Sequence, residues 1–352
     1  MRFSHIFIIA VLLSVTVLKV NGQENLLSLQ ELENKKEYTT IEEALKTPDK
    51  VYKLDLLYSD YKKLPSEISQ LENLQVLYLY ENSLTSLPPE IAELTKLQIL
   101  FLDENQLQSL PPEIGELKNL KILGLHKNKL TSLPPEIGQL NQLQKLYVSE
   151  NKITALPEEI GHLVNLQEFD LSYNELQEVP EAIGNLTKLR DLYLAHNNLT
   201  TLPPAIGKLA SLEELYVDDN KLKSFKIAEG NQLQALVNLG LASNQLTSLP
   251  PSLGELDNLQ ALYLSNNNLL KIPPKIGNLE SLTFLDLSDN KLEQLPKQLT
   301  ALTKLEGLNL YNNNLNRLPR DMVEMKSLKD LGVGNNNFDV IDLNLKEGIN
   351  IY

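Results

Sequence analysis

The sequence predicts an α/β solenoid: a curved stack of short units, each a strand followed by a slim return arm. The parallel sheet belongs on the concave side, short 3-10 or extended arms on the convex side, and a helical cap at the N-terminal end. Three observations predict it. The stretch "LYLYENSLTSLPPEIAELTKLQ" from Leu77 returns as "LFLDENQLQSLPPEIGELKNLK" from Leu100 and "LGLHKNKLTSLPPEIGQLNQLQ" from Leu123, a period of 23 residues. Each return carries apolar residues two apart in LxxLxLxx, the spacing of a strand with one buried face. Leu-Pro or Leu-Pro-Pro then follows, and proline, which fixes φ and lacks a donor, excludes a central strand from the second half of the unit. So short a unit cannot bury its own apolar face and must stack on its neighbours.

Read in order, residues 1–22 have the form of a cleaved export signal: a basic Arg2, a thirteen-residue apolar run from Ile6 to Leu18, then Val20-Asn21-Gly22. That run falls short of the roughly 18 to 20 residues that cross a bilayer, so no stable membrane insertion is expected. Residues 23–50 form the cap: "TTIEEALKTPDK" has Thr40 and Glu43 at capping-box spacing, Ile41, Ala44 and Leu45 on one helical face, and Pro48 as a stop. Residues 51–337 hold thirteen units opening from Val51 to Leu328, every step 23 residues except 24 from Leu212 to Leu236. The irregular unit spans 220–236, where Phe225 replaces the outer Leu and the proline is missing. It reads as a looser convex loop or as a local kink. Residues 338–352 lose the Leu-Pro signature and form a C-terminal cap or a frayed tail.

An Asn stands at the ninth place of every unit from Asn82 to Asn336, and Ser59 replaces it in the first. Its amide offers both a donor and an acceptor to backbone groups that the turn leaves unpaired inside the stack.

The pattern LPxxIGxLxxLxxLxLxxN resembles the leucine-rich repeat family in its typical 23-residue class, over nearly everything from Val51 to about Ile341. The export signal with no cysteine is similar to exported bacterial members such as those of spirochaetes. The resemblance implies a curved horseshoe and a protein ligand held on its concave face, but not which ligand, because members share a shape while their partners are unrelated. A host surface or matrix protein, with an adhesin-like or virulence-associated role, is what it implies for an exported bacterial member.

Four columns of each unit, at its third, fifth, seventh and eighth places, point away from the inward leucines. The fifth-place column holds Tyr78, Phe101, Tyr147, Tyr193, Tyr216 and Tyr263, six aromatics in thirteen places. With Tyr58, Tyr80, Tyr173 and Tyr311, nine of the thirteen tyrosines lie on this one face. Tyrosine joins large contact area to a polar tip at low entropic cost, so the enrichment points to an interface. Near the N-terminal end Val76, Ile99 and Ile122 join Tyr78, Phe101 and Tyr80 in one continuous apolar patch, the first candidate site; the competing reading is cross-strand pairing that stabilises the sheet.

Further along, Glu168, Asp191 and Glu214 are consecutive in the third column, with Asp170, Asp218 and Asp219 close by. Over the four columns fourteen acids stand against three lysines, a balance of −11. The whole chain carries −14, or −16 (30 basic against 46 acidic residues) once Arg2 and Lys19 leave with the signal. A field of one sign speeds encounter with a basic protein or peptide. The alternatives are a solvated face that maintains solubility and a shared calcium ion, although no EF-hand-like loop is present. Nucleic acid is excluded, since phosphate binding needs clustered Lys and Arg.

Catalytic and cofactor chemistry find no footing. With no cysteine in the chain there are no disulfides, thiolate metal sites or cysteine nucleophiles. There is no phosphate loop, HExxH or Ser-centred elbow, and His126 and His196 stand three units apart, roughly 14 Å at strand spacing. No enzyme, cofactor or metal is therefore expected, and the reading is a non-enzymatic binding module. Its alternative is an envelope scaffold that self-associates through the same face or an open edge strand.

Overall fold

The computed structural model describes residues 26–228, 230–338 and 348–352. The expected signal at 1–22 and most of the expected C-terminal cap lie outside them. Fifteen parallel strands form one open sheet in strict chain order. The first eight are β1 (Glu37–Tyr38), β2 (Lys53–Asp55), β3 (Val76–Tyr78), β4 (Ile99–Phe101), β5 (Ile122–Gly124), β6 (Lys145–Tyr147), β7 (Glu168–Asp170) and β8 (Asp191–Tyr193). The others are β9 (Glu214–Tyr216), β10 (Asn238–Gly240), β11 (Ala261–Tyr263), β12 (Phe284–Asp286), β13 (Gly307–Asn309), β14 (Asp330–Gly332) and β15 (Asn350–Ile351). Strands β2 to β14 are the thirteen expected ones, and each covers the third to fifth places of its unit. The terminal pair came unannounced.

Every ladder keeps equivalent places side by side, as in Tyr78 with Phe101 and Tyr193 with Tyr216, so each column of the repeat becomes a row of touching side chains. The inward residues make one core running the length of the stack, from Tyr38 to Val333. On the convex side, eleven of the arms turn through five residues of 3-10 helix, each entered from a proline such as Pro88 or Pro134 with φ near −70°. Seven of these arms carry a glycine, and at Gly138 it has a packing cause: a Cβ there would lie 2.4 Å from the carbonyl oxygen of Glu159 in the next arm.

The ninth-place Asn works between units. Asn105 Nδ2 donates to the carbonyl of Leu79 in the preceding unit at 2.7 Å and to those of Leu102 and Asp103 in its own turn, while its Oδ1 accepts from Leu84 N–H at 3.0 Å. The turn has a second requirement, invisible in the pattern: the eighth-place residue is left-handed in every unit, with φ between 50° and 55°, and none is glycine.

The irregular unit leaves the sheet unbroken. β9, β10 and β11 pair in continuous register, Leu215 with Leu239 with Leu262. The extra residue is taken up in the arm, where Phe225 and Ile227 are buried and Gly230 adopts φ +69°. At the N-terminal end, helix α1 (Leu29–Glu33) precedes β1, and helix α2 (Ile41–Ala44) follows it with Ile41 and Ala44 buried on the core. Thr40 caps α2 by accepting from Glu43 N–H at 3.1 Å, but the Glu43 carboxylate turns to Lys36 at 2.8 Å instead of closing the box. Pro48 opens a 3-10 turn. The complete capping box belongs to α1, between Ser28 and Glu31. At the other end β15 covers β14, and Tyr352 O accepts from Val333 N–H at 2.7 Å.

Candidate protein-binding face

The sheet face opposite the core divides into a covered part and an open part. Over β3 to β6 the expected exposed patch is not exposed. Val76, Ile99, Phe101, Ile122 and Tyr147 lie between 0% and 6% exposed, and Tyr78 and Tyr80 are half-buried around them. They form a second hydrophobic cluster, separate from the main core, whose remaining members are Leu29 and Leu32 of α1, with Leu27 packed alongside. The reason is α1. The apolar residues predicted to await a partner are covered by the chain's own N-terminal segment.

Within this cluster the Phe101 ring stacks on Tyr78 and Tyr80 with centroids 5.9 and 5.0 Å away, and the two tyrosine rings are tilted at 6.2 Å. Burial pushes the Tyr78, Tyr80 and Tyr147 hydroxyls well above the ordinary tyrosine range. At its edge Asp103, 7% exposed, accepts from His126 N–H at 2.9 Å through Oδ1, while Oδ2 has no hydrogen-bond partner among the described residues. Burial raises this carboxyl to about 7.

From β7 to β12 the face is open. Tyr193, Tyr216 and Tyr263 are half-buried and follow one another along the sheet, centroids 5.9 Å apart for the first pair and 6.4 Å for the second. Gly240, between the last two, lets the Tyr216 ring lie across its strand: a Cβ there would meet Tyr216 Cδ1 at 2.5 Å and Asp218 Oδ2 at 2.3 Å. Phe284 extends the series at 5.5 Å from Tyr263. Sequence reasoning missed Phe284 because it sits in the third column and not in the aromatic fifth; strand pairing between β11 and β12 is what brings the two together.

The acids beside these rings are largely satisfied within the chain. Glu168 pairs with the buried Lys145 at 3.0 Å, and Glu214 accepts from Asn238 Nδ2 at 2.7 Å. Asp170 accepts from Ser172 N–H and Asp218 from Ala242 N–H, and exposed Asp219 stands 3.6 Å from His196. Asp191 differs: half-buried between the first two, it has no bonding partner among the described residues, and burial together with the Glu168 charge raises its carboxyl to about 6. Its charge and that of Glu168 add to burial in raising the Tyr193 hydroxyl. Among the described residues no group of three or more His, Asp or Glu side chains is placed to hold a metal ion, and no helix is long and apolar enough to cross a membrane.

Leucine-rich repeat models match residues 72–113, 118–176, 149–241 and 234–292. A leucine-rich repeat protein of Leptospira interrogans is 34% identical over 87% of this chain and 95% of its own, with a TM-score of 0.64. A plant peptide hormone receptor, RGFR1 in complex with RGF2, is 29% identical over 81% of this chain, which spans 53% of the receptor chain, with a TM-score of 0.69. An internalin of Listeria monocytogenes shares the fold at 22% identity and a TM-score of 0.65, over 95% of this chain and 88% of its own. A comparison with curated proteins returned no match.

Proposed function

The chain belongs to the leucine-rich repeat family, and from that premise we propose that it is an exported, non-enzymatic module that holds a basic protein on the open middle of its sheet face. The observation that carries the reading is the uncovered series Tyr193, Tyr216, Tyr263 and Phe284 beside the unpaired carboxylate of Asp191. Rings of this kind supply contact area and cation-π attraction, and a lysine or arginine entering beside Asp191 relieves the repulsion of three stacked acids. Glu168, Asp170, Glu214, Asp218 and Asp219 set the sign of the field around it. Kinship with the Leptospira protein supports a bacterial origin, and the signal-like residues 1–22 support export to a secreted, surface-held or periplasmic place. The partner class is a host surface or matrix protein, in an adhesin-like role.

The test is capture of extracellular proteins by the full chain beside two variants, Tyr216→Ala/Tyr263→Ala and Asp191→Asn, followed by association kinetics of the captured partner. The ring variant should lose the partner, and rising salt should slow association. Asp191 carries its charge only above about pH 6, so Asp191→Asn should weaken binding about tenfold at pH 7.5 and little at pH 5. Equal capture by parent and ring variant, or an on-rate indifferent to salt, would remove the middle of the face as the site. A self-associating envelope scaffold is the second reading, favoured by Ile351 in the last described strand and Tyr352 after it, both about half exposed. Dimers that grow with concentration in sedimentation would support it.

A further inference from the structure

The segment that covers the N-terminal patch is held the way a peptide ligand is held. Its backbone is read at one residue by two side chains: Leu27 N–H donates to Gln75 Oε1 at 2.9 Å, and Leu27 O accepts from Gln98 Nε2 at 2.8 Å. Both glutamines are fully buried, and they are fixed by each other at 2.8 Å and by Lys121 Nζ, which donates to Gln98 Oε1 at 2.6 Å. Glutamines stand at the same second places three units on, but Gln144 and Gln167 are only half-buried, and five units on Arg190 and Glu213 form a bidentate pair with each other. Beyond Leu27 the segment makes one helical turn closed by its own capping box, and Leu29 and Leu32, three apart, reach the patch.

The segment is also separable. It adds no strand to the sheet, its apolar contacts belong to a cluster distinct from the main core, and three residues, Asn34 to Lys36, link it to β1. Withdrawing it would break none of the strand ladder or the asparagine row.

We propose that the patch over β3 to β6 is a peptide-binding site occupied in cis by residues 27–32. It takes in trans a segment of the same chemistry: one extended residue whose peptide group pairs with Gln75 and Gln98, followed by a helical turn bearing two aliphatic side chains three apart. A tether this short presents the cis segment at millimolar effective concentration, so an outside peptide enters only when the cis segment is weakened or out-competed. The inference is argued from Gln75, Gln98 and the N-terminal segment and does not rest on the reading of the middle of the face.

The test uses a fluorescent peptide of residues 24–36 titrated by anisotropy against the full chain and against Leu29→Ser/Leu32→Ser, which releases the cover. We expect saturable binding to the released variant and binding at least a hundredfold weaker to the parent. Adding Gln98→Ala to the released variant should weaken binding about tenfold, the loss expected when a buried peptide oxygen is left without its donor. Circular dichroism and the thermal transition establish that the variants are folded, and the milder Leu32→Ala gives the same comparison if the double variant is not. A folded, released variant that fails to bind the peptide, or that binds it equally well with Gln98→Ala, overturns the proposal and leaves the segment a simple cover.

Discussion

Two stretches of the sheet face carry almost the same letters and meet different fates. In β4 to β6 the outward residues read Phe101 and Asp103, then Gly124, then Tyr147 and Ser149; in β9 to β11 they read Tyr216 and Asp218, then Gly240, then Tyr263 and Ser265. In both, the aromatic ring and the carboxylate lie across the glycine of the next strand, with Phe101 Cδ1 and Asp103 Oδ2 each 2.3 Å from where a Cβ on Gly124 would stand. What differs is the neighbouring third column, Ile99 and Ile122 in one and Glu214 and Asn238 in the other, and with it the cover. The aliphatic pair makes burial under α1 favourable, and the polar pair leaves the second platform facing water. A repeat therefore fixes the scaffold, and one variable column decides whether a platform is core or surface.

The largest expected break in that comparison comes from removing a ring. Phe101→Ala, in the covered platform, should cost about 3 to 5 kcal/mol, the usual range for a fully buried phenylalanine. Tyr216→Ala, at the matching place, loses a half-exposed ring and should cost about 1 kcal/mol while removing the partner from the open face. Urea midpoints of the two variants measure it. Equal costs would mean that the cover does not distinguish the two platforms energetically.

The next break is electrostatic. Asp103 titrates near 7 when folded against an ordinary value near 4, so its favourable contribution is fully present below about pH 4 and is lost as pH rises through about 7. The effect is on the order of 2 kcal/mol, the scale on which burial disfavours a charged carboxylate. Asp103→Asn should therefore raise the urea midpoint at pH 8, leave it nearly unchanged at pH 4, and flatten the dependence between. Asp218 is raised in the same direction, again mainly by burial, but it is half-buried and should give the same sign with a smaller amplitude. A larger effect at Asp218 would contradict the assignment of Asp103 to the covered region.

The scaffold half of this contrast was legible in the letters. Leucines two apart gave the strands, Leu-Pro the arms, and the ninth-place Asn its bonds between units, because those residues do the same thing in every copy. The cover was not. Ser28 and Glu31 stand at capping-box spacing and mark a helix start, yet nothing in that spacing says on which side of the sheet the helix comes to rest. Val76, Ile99 and Ile122 read as exposed because a column position fixes the direction of a side chain and not what lies above it. β1 and β15 were missed for a related reason: Glu37–Tyr38 and Asn350–Ile351 are strands only because a neighbouring strand offers an unpaired edge, and two residues carry no periodicity of their own.

The smallest effect concerns the place where the two regions should not differ. Glu150 and Ser243 are eighth-place residues, one beside the covered platform and one beside the open one, with φ of 51° and 52°. A residue with a Cβ pays about 1 to 2 kcal/mol for that left-handed backbone, and glycine's greater freedom in the unfolded chain returns roughly 0.5 to 1 kcal/mol of it. Glu150→Gly and Ser243→Gly should each stabilise the chain by about 0.5 kcal/mol, read as matched rises in urea midpoint. Glu150 faces His126 at 3.7 Å, but both are well exposed and the pair adds little. Matched gains would show that one turn geometry serves both platforms, leaving the third column and the cover as the cause of their divergence. A gain at Ser243 alone would mean that the covered region holds its turns under different strain, and that the cover shapes the scaffold as well as hiding it.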